Sequence, residues 1–228
     1  MKIDVLIPAY NEEKNIQHTL KGLQRFKEHF CKQHGVEIDF MVIDDGSSDN
    51  TYEKAMELNS NTIKLKYNKG KGNALQEGLK KSTGDIVVFL DADLRESSYE
   101  VHKLVLPIIQ DEADVVIARF KTSKEKKGFG LVKALASFGL ILFTGKKVTS
   151  VLSGQRAFKK SVLEDIGPIP EGFGIEIGML IDILKKDYRI KEVDVDMYHD
   201  VTGRDLKGFL HRGKQFWHIL KVLISKII

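Results

Sequence analysis

The sequence predicts an α/β protein with a Rossmann-like mixed sheet flanked by helices. Three observations carry that expectation. Short runs rich in Val and Ile alternate with longer amphipathic stretches, the pattern of strands covered on both faces by helices. Polar residues gather after the first, second and fourth of these runs, and ligands of open α/β sheets bind beyond the carboxyl ends of the strands. No internal repeat, low-complexity tract or Pro/Gly-rich linker interrupts the 228 residues, so a single domain of 1–228 is expected.

The strands read in order as IDVLIPA (3–9), DFMVIDD (39–45), TIKLKY (62–67), DIVVFLDAD (85–93) and ADVVIAR (113–119). Helical patterns separate them over about 12–30, 50–59, 70–82 and 98–110. The second half changes character. Helices are expected over 125–144 and 173–187, RIKEVDVDM (189–197) alternates like a strand, and an amphipathic helix closes the chain over 205–228.

Hydrophobic content of 42% and charged content of 30% are those of an ordinary globular protein. The one cysteine, Cys31, excludes an internal disulfide framework and a multi-cysteine zinc site, and it suits a reducing cytoplasm. The apolar run of MKIDVLIPAYNEE is too short for a signal peptide, and no 18 residues are uninterruptedly apolar. The net charge of +4 is unevenly spread. Residues 119–147 hold eight Lys or Arg against one acid, and 204–228 hold six against one. Such stretches suit an anionic surface, either phosphates or lipid headgroups. No nucleic-acid partner is expected.

The chemistry concentrates where Ile86–Leu90 runs into Asp91 and Asp93. Carboxylates one residue apart repel, so something must offset their placement at the end of a core strand. One can accept hydrogen bonds from a ribose hydroxyl while the other ligates a hard cation, Mg²⁺ or Mn²⁺, which also neutralises a departing diphosphate. A solvated turn is the plainer alternative. NKGKGNALQEGL (68–79) opens a helix with Gly-Lys-Gly, where backbone and Lys71 attract phosphate. It is neither a P-loop nor a dinucleotide fingerprint. Asp49 reads as a cap for the helix that follows. His199 follows a strand end beside Asp200 and is a candidate metal ligand, with an idle loop histidine as the alternative. Glu176 sits among Ile175, Ile177 and Met179, either exposed or facing a site.

Taken together, IPAYNEE, VIDDGSSDNT, NKGKGNAL, TGDIVVFLDADL and SGQRAF resemble glycosyltransferases of the family 2 type, with the GT-A fold, from residue 3 to about 200. The resemblance implies that Pro8, Ala9, Tyr10, Glu12 and Asp44 hold the base and that Lys71 sits near the nucleotide. It makes Asp91-Ala92-Asp93 the motif for ribose and metal-diphosphate. Residues 1–118 then form a nucleotide-binding half and 119–228 an acceptor- and membrane-facing half. SGQRAFKKSVLEDI with DYRIKEVDV is similar to polyprenyl- or dolichol-phosphate sugar transferases. EGFGIEIGMLID with GKGNAL is similar to glucosyl-3-phosphoglycerate synthase, which implies a sugar or acceptor contact for Glu176 and a metal-ligand role for His199. Asp93, Glu176 and Arg156 are the catalytic candidates, Arg156 steadying negative charge together with Lys71.

A phosphate acceptor is already anionic and needs no base to take its proton, whereas an alcohol does. Apart from Glu176 and Asp200, no carboxylate beyond the motif acids presents itself as a base, which favours a phosphate nucleophile. The segment 210–228 sets Phe216, Leu220, Leu223, Ile224 and Ile227 on one helical side, with Lys214, His218, Lys221 and Ser225 on the other. With Trp217, that suits a membrane interface; packing on the sheet is the alternative. FGLVKALASFGLILF (129–143) reads as buried core, interfacial helix or a contact in a homo-oligomer. The resulting expectation is metal-dependent transfer of a hexose from a nucleoside-diphosphate sugar to a polyprenyl phosphate or other lipid-linked acceptor, peripheral at the cytoplasmic face of a membrane. The rivals are a soluble synthase using a phosphorylated small-molecule acceptor and a non-catalytic membrane-surface binding protein.

Overall fold

The computed structural model describes residues 1–59, 61–120, 130–170, 172–198 and 206–226, with the side chains of 173, 206–212 and 214 outside that description. The elements run β1 (Lys2–Ala9), α1 (Ile16–His34), β2 (Glu37–Asp44), α2 (Thr51–Leu58), β3 (Thr62–Lys64), α3 (Lys71–Lys81) and β4 (Ile86–Phe89). A 3-10 helix (Arg95–Val101) leads into α4 (His102–Ile109) and β5 (Val115–Phe120). The remainder is α5 (Leu131–Thr144), β6 (Arg156–Lys159), α6 (Lys160–Ile166), α7 (Ile175–Lys185), β7 (Ile190–Val195) and α8 (Leu206–Ser225).

One seven-stranded sheet takes strands from both halves, in the order β3-β2-β1-β4-β6-β5-β7. Neighbours pair in parallel except β6, which runs antiparallel to both β4 and β5. Strand β6 has no counterpart in the sequence reading. It is four residues long, begins with a charged Arg156 and ends in Lys159, so it carries no alternation to reveal it. Strand β3 is shorter than the 62–67 run suggests, in keeping with its place at the sheet edge.

Successive strand residues face opposite layers. Ile3, Val5 and Ile7 of β1 join Ile16, Leu20, Leu23 and Phe26 of α1 in one core. Leu6 joins Ile43, Val87, Phe89 and Phe158 with Ile177, Leu180 and Ile181 of α7 in the other. Helix α1 begins at Ile16, four residues later than its pattern suggests. Asn11 takes a left-handed conformation (φ 56°), and the Glu12 carbonyl accepts the N–H groups of Asn15 and Ile16, so a turn precedes the helix.

The last helix departs from the expected two-sidedness. Ile219 and Leu223 are buried, while Phe216, Trp217 and Ile224 are exposed. Leu223 packs against Gly139 of α5, so the covered stripe is rotated from the side that carries most of the apolar residues. Helix α5 itself is buried only at Ala136, Gly139 and Leu140. Among the described residues, no helix is long and apolar enough to cross a membrane.

The loop after β2 turns at Gly46, which has φ 71° and whose added Cβ would stand 2.8 Å from the backbone of Tyr67 and Asn68. An L side chain there meets both left-handed strain and an immovable neighbour. Gly46→Ala is expected to lower stability by about 2 kcal/mol, read by chemical denaturation.

Candidate functional site

Parallel pairing of β1, β2 and β4 brings their carboxyl ends to one rim, with the strand order reversing between β1 and β4. A cleft of about 600 Å³ opens there. Pro8, Ala9 and Tyr10 leave β1 to form one wall, and Gly172, Ile175 and Glu176 at the start of α7 form another. Tyr10 is 48% exposed despite its aromatic ring. Asp45 and the loop Asn68–Lys71 complete the lining.

Asp45 shapes that loop. Its Oδ1 accepts the N–H of Lys69 (3.0 Å) and its Oδ2 accepts that of Gly70 (2.6 Å), so one carboxylate sets the entry to α3 and aims Lys71 across the cleft. Lys71 Nζ donates to Asp91 Oδ1 at 2.6 Å and to Glu176 Oε1 at 3.4 Å. Gln155 Nε2 donates to Asp91 Oδ2 at 2.8 Å. A single ammonium therefore spans acids from β4 and α7. Burial opposes the charge on Lys71, but Asp91 and Glu176 outweigh it and hold the amine above the ordinary lysine range. Burial likewise works against the Asp91 anion; Lys71 and then Gln155 reverse this and keep the carboxyl below its usual range. Both groups are charged at neutral pH.

The other expected residues fall in different places. Arg156, expected to steady negative charge, is instead buried. It donates through Nε to Ser153 O, through Nη1 to Glu176 O and through Nη2 to Val151 O. Burial pulls it down to about 10, against the pull of Glu176, so it remains a cation. Its work is to tie the 151–155 loop to the first turn of α7, which makes it a positioning residue. Asp44 lies wholly buried below the rim, its Oδ1 accepting the Ser47 N–H and its Oδ2 without a hydrogen-bond partner. The acid that lines the cleft is its neighbour Asp45. Glu12 braces its own loop: its N–H donates to Thr51 Oγ1 and its Oε2 accepts Asn15 Nδ2. Ala92 packs its methyl in the core and gives its carbonyl to Thr19, so only its backbone remains near the rim. Asp93 is partly exposed on the turn after β4. His199 lies outside the described residues.

The donor set suits a hard divalent ion. Asp91 is engaged by Lys71 and Gln155, and Asp93, partly exposed two residues on, is the second carboxylate of the pair. Among the described residues no three His, Cys, Asp or Glu converge. Mg²⁺ needs no such cage, since it binds through one or two carboxylates together with substrate phosphates.

Sequence reasoning missed Asp45, Gln155 and Gly154. Asp45 had a signal, as half of an acidic pair at a strand end. Gly154 and Gln155 stand in the SGQRAF motif, but the antiparallel β6 that brings them to Asp91 was not legible, so no role was assigned to either.

A mixed sheet with a nucleotide-sized cleft at the β1/β4 crossover, lined by the loops after β1, β2 and β3 and joined through Lys71 to an acidic motif after β4, is the GT-A architecture of nucleotide-diphospho-sugar transferases. The chain belongs to the glycosyl transferase family 2, whose family model matches residues 4–167. It is 36% identical over 187 residues to a UDP-N-acetylglucosamine–dolichyl-phosphate N-acetylglucosaminyltransferase of Methanococcus voltae, covering 71% of each chain. It is 30% identical over 222 residues to the dolichol-phosphate mannosyltransferase of Pyrococcus furiosus, covering 91% of this chain and 60% of that one. Glucosyl-3-phosphoglycerate synthase of Mycobacterium tuberculosis, solved with Mg²⁺ and UDP, superposes with a TM-score of 0.78 at 26% identity. That superposition covers 99% of this chain and 79% of the other. The same enzyme has been solved with Mn²⁺, UDP-glucose and phosphoglyceric acid.

Two predictions concern the ammonium bridge. A Cβ on Gly154 would stand 2.4 Å from Lys71 Nζ and 3.2 Å from Asp91 Oδ2. Because the lysine end can swing away, Gly154→Ala is expected to cost less than about 1 kcal/mol of stability. It should nonetheless lower turnover about tenfold by parting Lys71 from Asp91, which thermal melts and initial rates together would show. With Lys71 raised and Asp91 lowered, the pair's contribution is fully present between the ordinary carboxylate and lysine ranges. It is lost as pH falls through the depressed Asp91 value or rises through the elevated Lys71 value. Melting temperatures of wild type and Lys71→Met should differ by a constant amount from about pH 5 to about pH 9 and converge only below about pH 4.

Proposed function

We propose that this glycosyltransferase moves a hexose from a nucleoside-diphosphate sugar to the phosphate of a polyprenyl-type lipid at the cytoplasmic surface of a membrane. The observation that carries the reading is the Lys71 ammonium shared by Asp91 and Glu176 at the mouth of the cleft. A donor whose base lies against Tyr10 and Asp45, with Asp44 below, would bring its ribose to Asp91 and its diphosphate to Lys71 and Asp93. Mg²⁺ or Mn²⁺, held by Asp93 and His199 and by the diphosphate, would supply the charge neutralisation that lets the nucleotide leave. Glu176 would then contact the sugar or the acceptor, with Arg156 holding the turn that presents it. The two halves, 1–118 and 119–228, would serve donor and acceptor as one catalytic unit.

The lipid acceptor draws on α5. Leu131, Phe138, Ile141 and Leu142 form an exposed apolar stripe, with Phe138 and Leu131 each 66% exposed. Lys133, Lys146 and Lys147 are exposed around it. On α8, Trp217 and Ile224 are exposed on either side of Lys221. Apolar side chains fringed by lysines suit the boundary of an anionic bilayer. The Methanococcus and Pyrococcus relatives are named for dolichol-linked acceptors. The similarity to the phosphoglycerate enzyme, over nearly the whole chain, favours the second reading, a phosphorylated small-molecule acceptor.

The deciding assay follows nucleotide release from UDP- and GDP-sugars with Mn²⁺, adding polyprenyl phosphate in vesicles or 3-phosphoglycerate. The lipid should stimulate release, and Asp93→Ala should lower it by at least about a hundredfold. Stimulation by phosphoglycerate alone would replace the lipid reading with the second. Flotation with vesicles rich in anionic lipid should recover the wild type but not Phe138→Asp.

A further inference from the structure

The turn carrying Asp93 is held by a device that never reaches the cleft. Arg95, two residues on, is in the left-handed region (φ 54°), where a long side chain is rare and strained. Three contacts keep it there. Its N–H donates to Thr19 Oγ1 (2.8 Å), its Nε donates to Asn15 Oδ1 (3.1 Å), and its guanidinium lies over the Tyr198 ring, 4.1 Å from the centroid. The same Thr19 hydroxyl donates to the Ala92 carbonyl at 2.7 Å. One buried hydroxyl on α1 therefore grips the backbone on both sides of Asp93, and it can do both jobs because it has one proton to give and lone pairs to receive. At the far end, the Tyr198 N–H donates to Ser97 Oγ (2.7 Å), which fixes the exit of β7 to the same 3-10 helix. The Asp93 turn, α1 and the end of β7 are thus joined through Arg95.

We propose that Thr19, Arg95 and Tyr198 are positioning residues that fix the Asp93 turn and couple it to the exit of β7, so that they set metal-diphosphate affinity without touching the donor. This rests on the donor reading given above, with Asp93 as a metal-binding carboxylate. Loss of a group that orients a metal-binding side chain from behind typically costs about ten- to a hundredfold in metal affinity. Strain retained at Arg95 is explained by that function: a glycine would take the backbone freely but would lose the side-chain bond to Asn15 and the contact with the Tyr198 ring, leaving the Ser97–Tyr198 bond to join the turn to β7.

The test titrates Mn²⁺ calorimetrically into the protein saturated with UDP or GDP, whichever binds more tightly, and compares each affinity with the melting temperature. Thr19→Val, which keeps the shape and removes the hydroxyl, should weaken Mn²⁺ binding about tenfold, and Thr19→Ser should restore it to within about twofold. Arg95→Gly should hold or raise the melting temperature while weakening Mn²⁺. Tyr198→Leu, which removes the ring under the guanidinium, should weaken Mn²⁺ as Arg95→Gly does, without its gain in melting temperature. If Thr19→Val does not fold, the Arg95 and Tyr198 variants decide alone. Unchanged Mn²⁺ affinity in Arg95→Gly and Tyr198→Leu, where Asp93→Ala abolishes it, would overturn the positioning role and leave the donor reading intact. Unchanged affinity in Asp93→Ala would overturn both.

Discussion

The organisation of the cleft depends on one positive charge held between two negative ones. Without Lys71, Asp91 and Glu176 would face each other across the opening as like charges of low solvation, one following the end of β4 and the other in the first turn of α7. The lysine reaches them because Asp45 has set the loop ahead of α3, so an acid on β2 indirectly neutralises an acid on β4. The contact also joins the two halves of the chain, since α3 belongs to the first and α7 to the second. A diphosphate entering the cleft would compete for the same ammonium, which gives the site a way to exchange an internal ion pair for one with its ligand rather than to desolvate a new charge.

The rest of the structure supplies rigidity to that exchange. Arg156 spends its guanidinium on three carbonyls and thereby fixes the start of α7. A buried cation fully provided with acceptors is costly to disturb, because removing it would strand those carbonyls. Gln155, next to it in sequence, points the other way and holds Asp91. Adjacent residues of one strand end thus divide the work, one for scaffold and one for site.

Much of this was legible in the sequence. The parallel strands are marked by Val and Ile runs with polar endings, and Asp91, Lys71 and Glu176 each stand in a stretch whose residue types point to a site. What stayed hidden has physical causes. A strand of four residues beginning and ending in charge, such as β6, has too little length for a period to show. Arg156 was placed in the right motif but given the wrong surroundings, because burial depends on packing from three distant segments. The covered side of α8 was misread for a similar reason: Leu223 seats against a glycine of α5, a fit no helical wheel contains. Asp44 and Asp45 differ by one position on a strand, and only the pleat decides which of them faces the opening.

Strand β6 has a consequence of its own. Running against its neighbours, it offers the rim its beginning, with Arg156 opposite Phe89 at the end of β4. The 151–155 loop ahead of it cannot change length freely, because Arg156 holds its carbonyls and Gln155 holds Asp91. One residue inserted within the paired stretch would slide the ladder by a step and exchange the directions of a glutamine and an arginine. The anion would lose its amide and α7 its anchor in a single event. Variation in this part of the chain is therefore channelled ahead of Val151 and away from the loop and strand that follow.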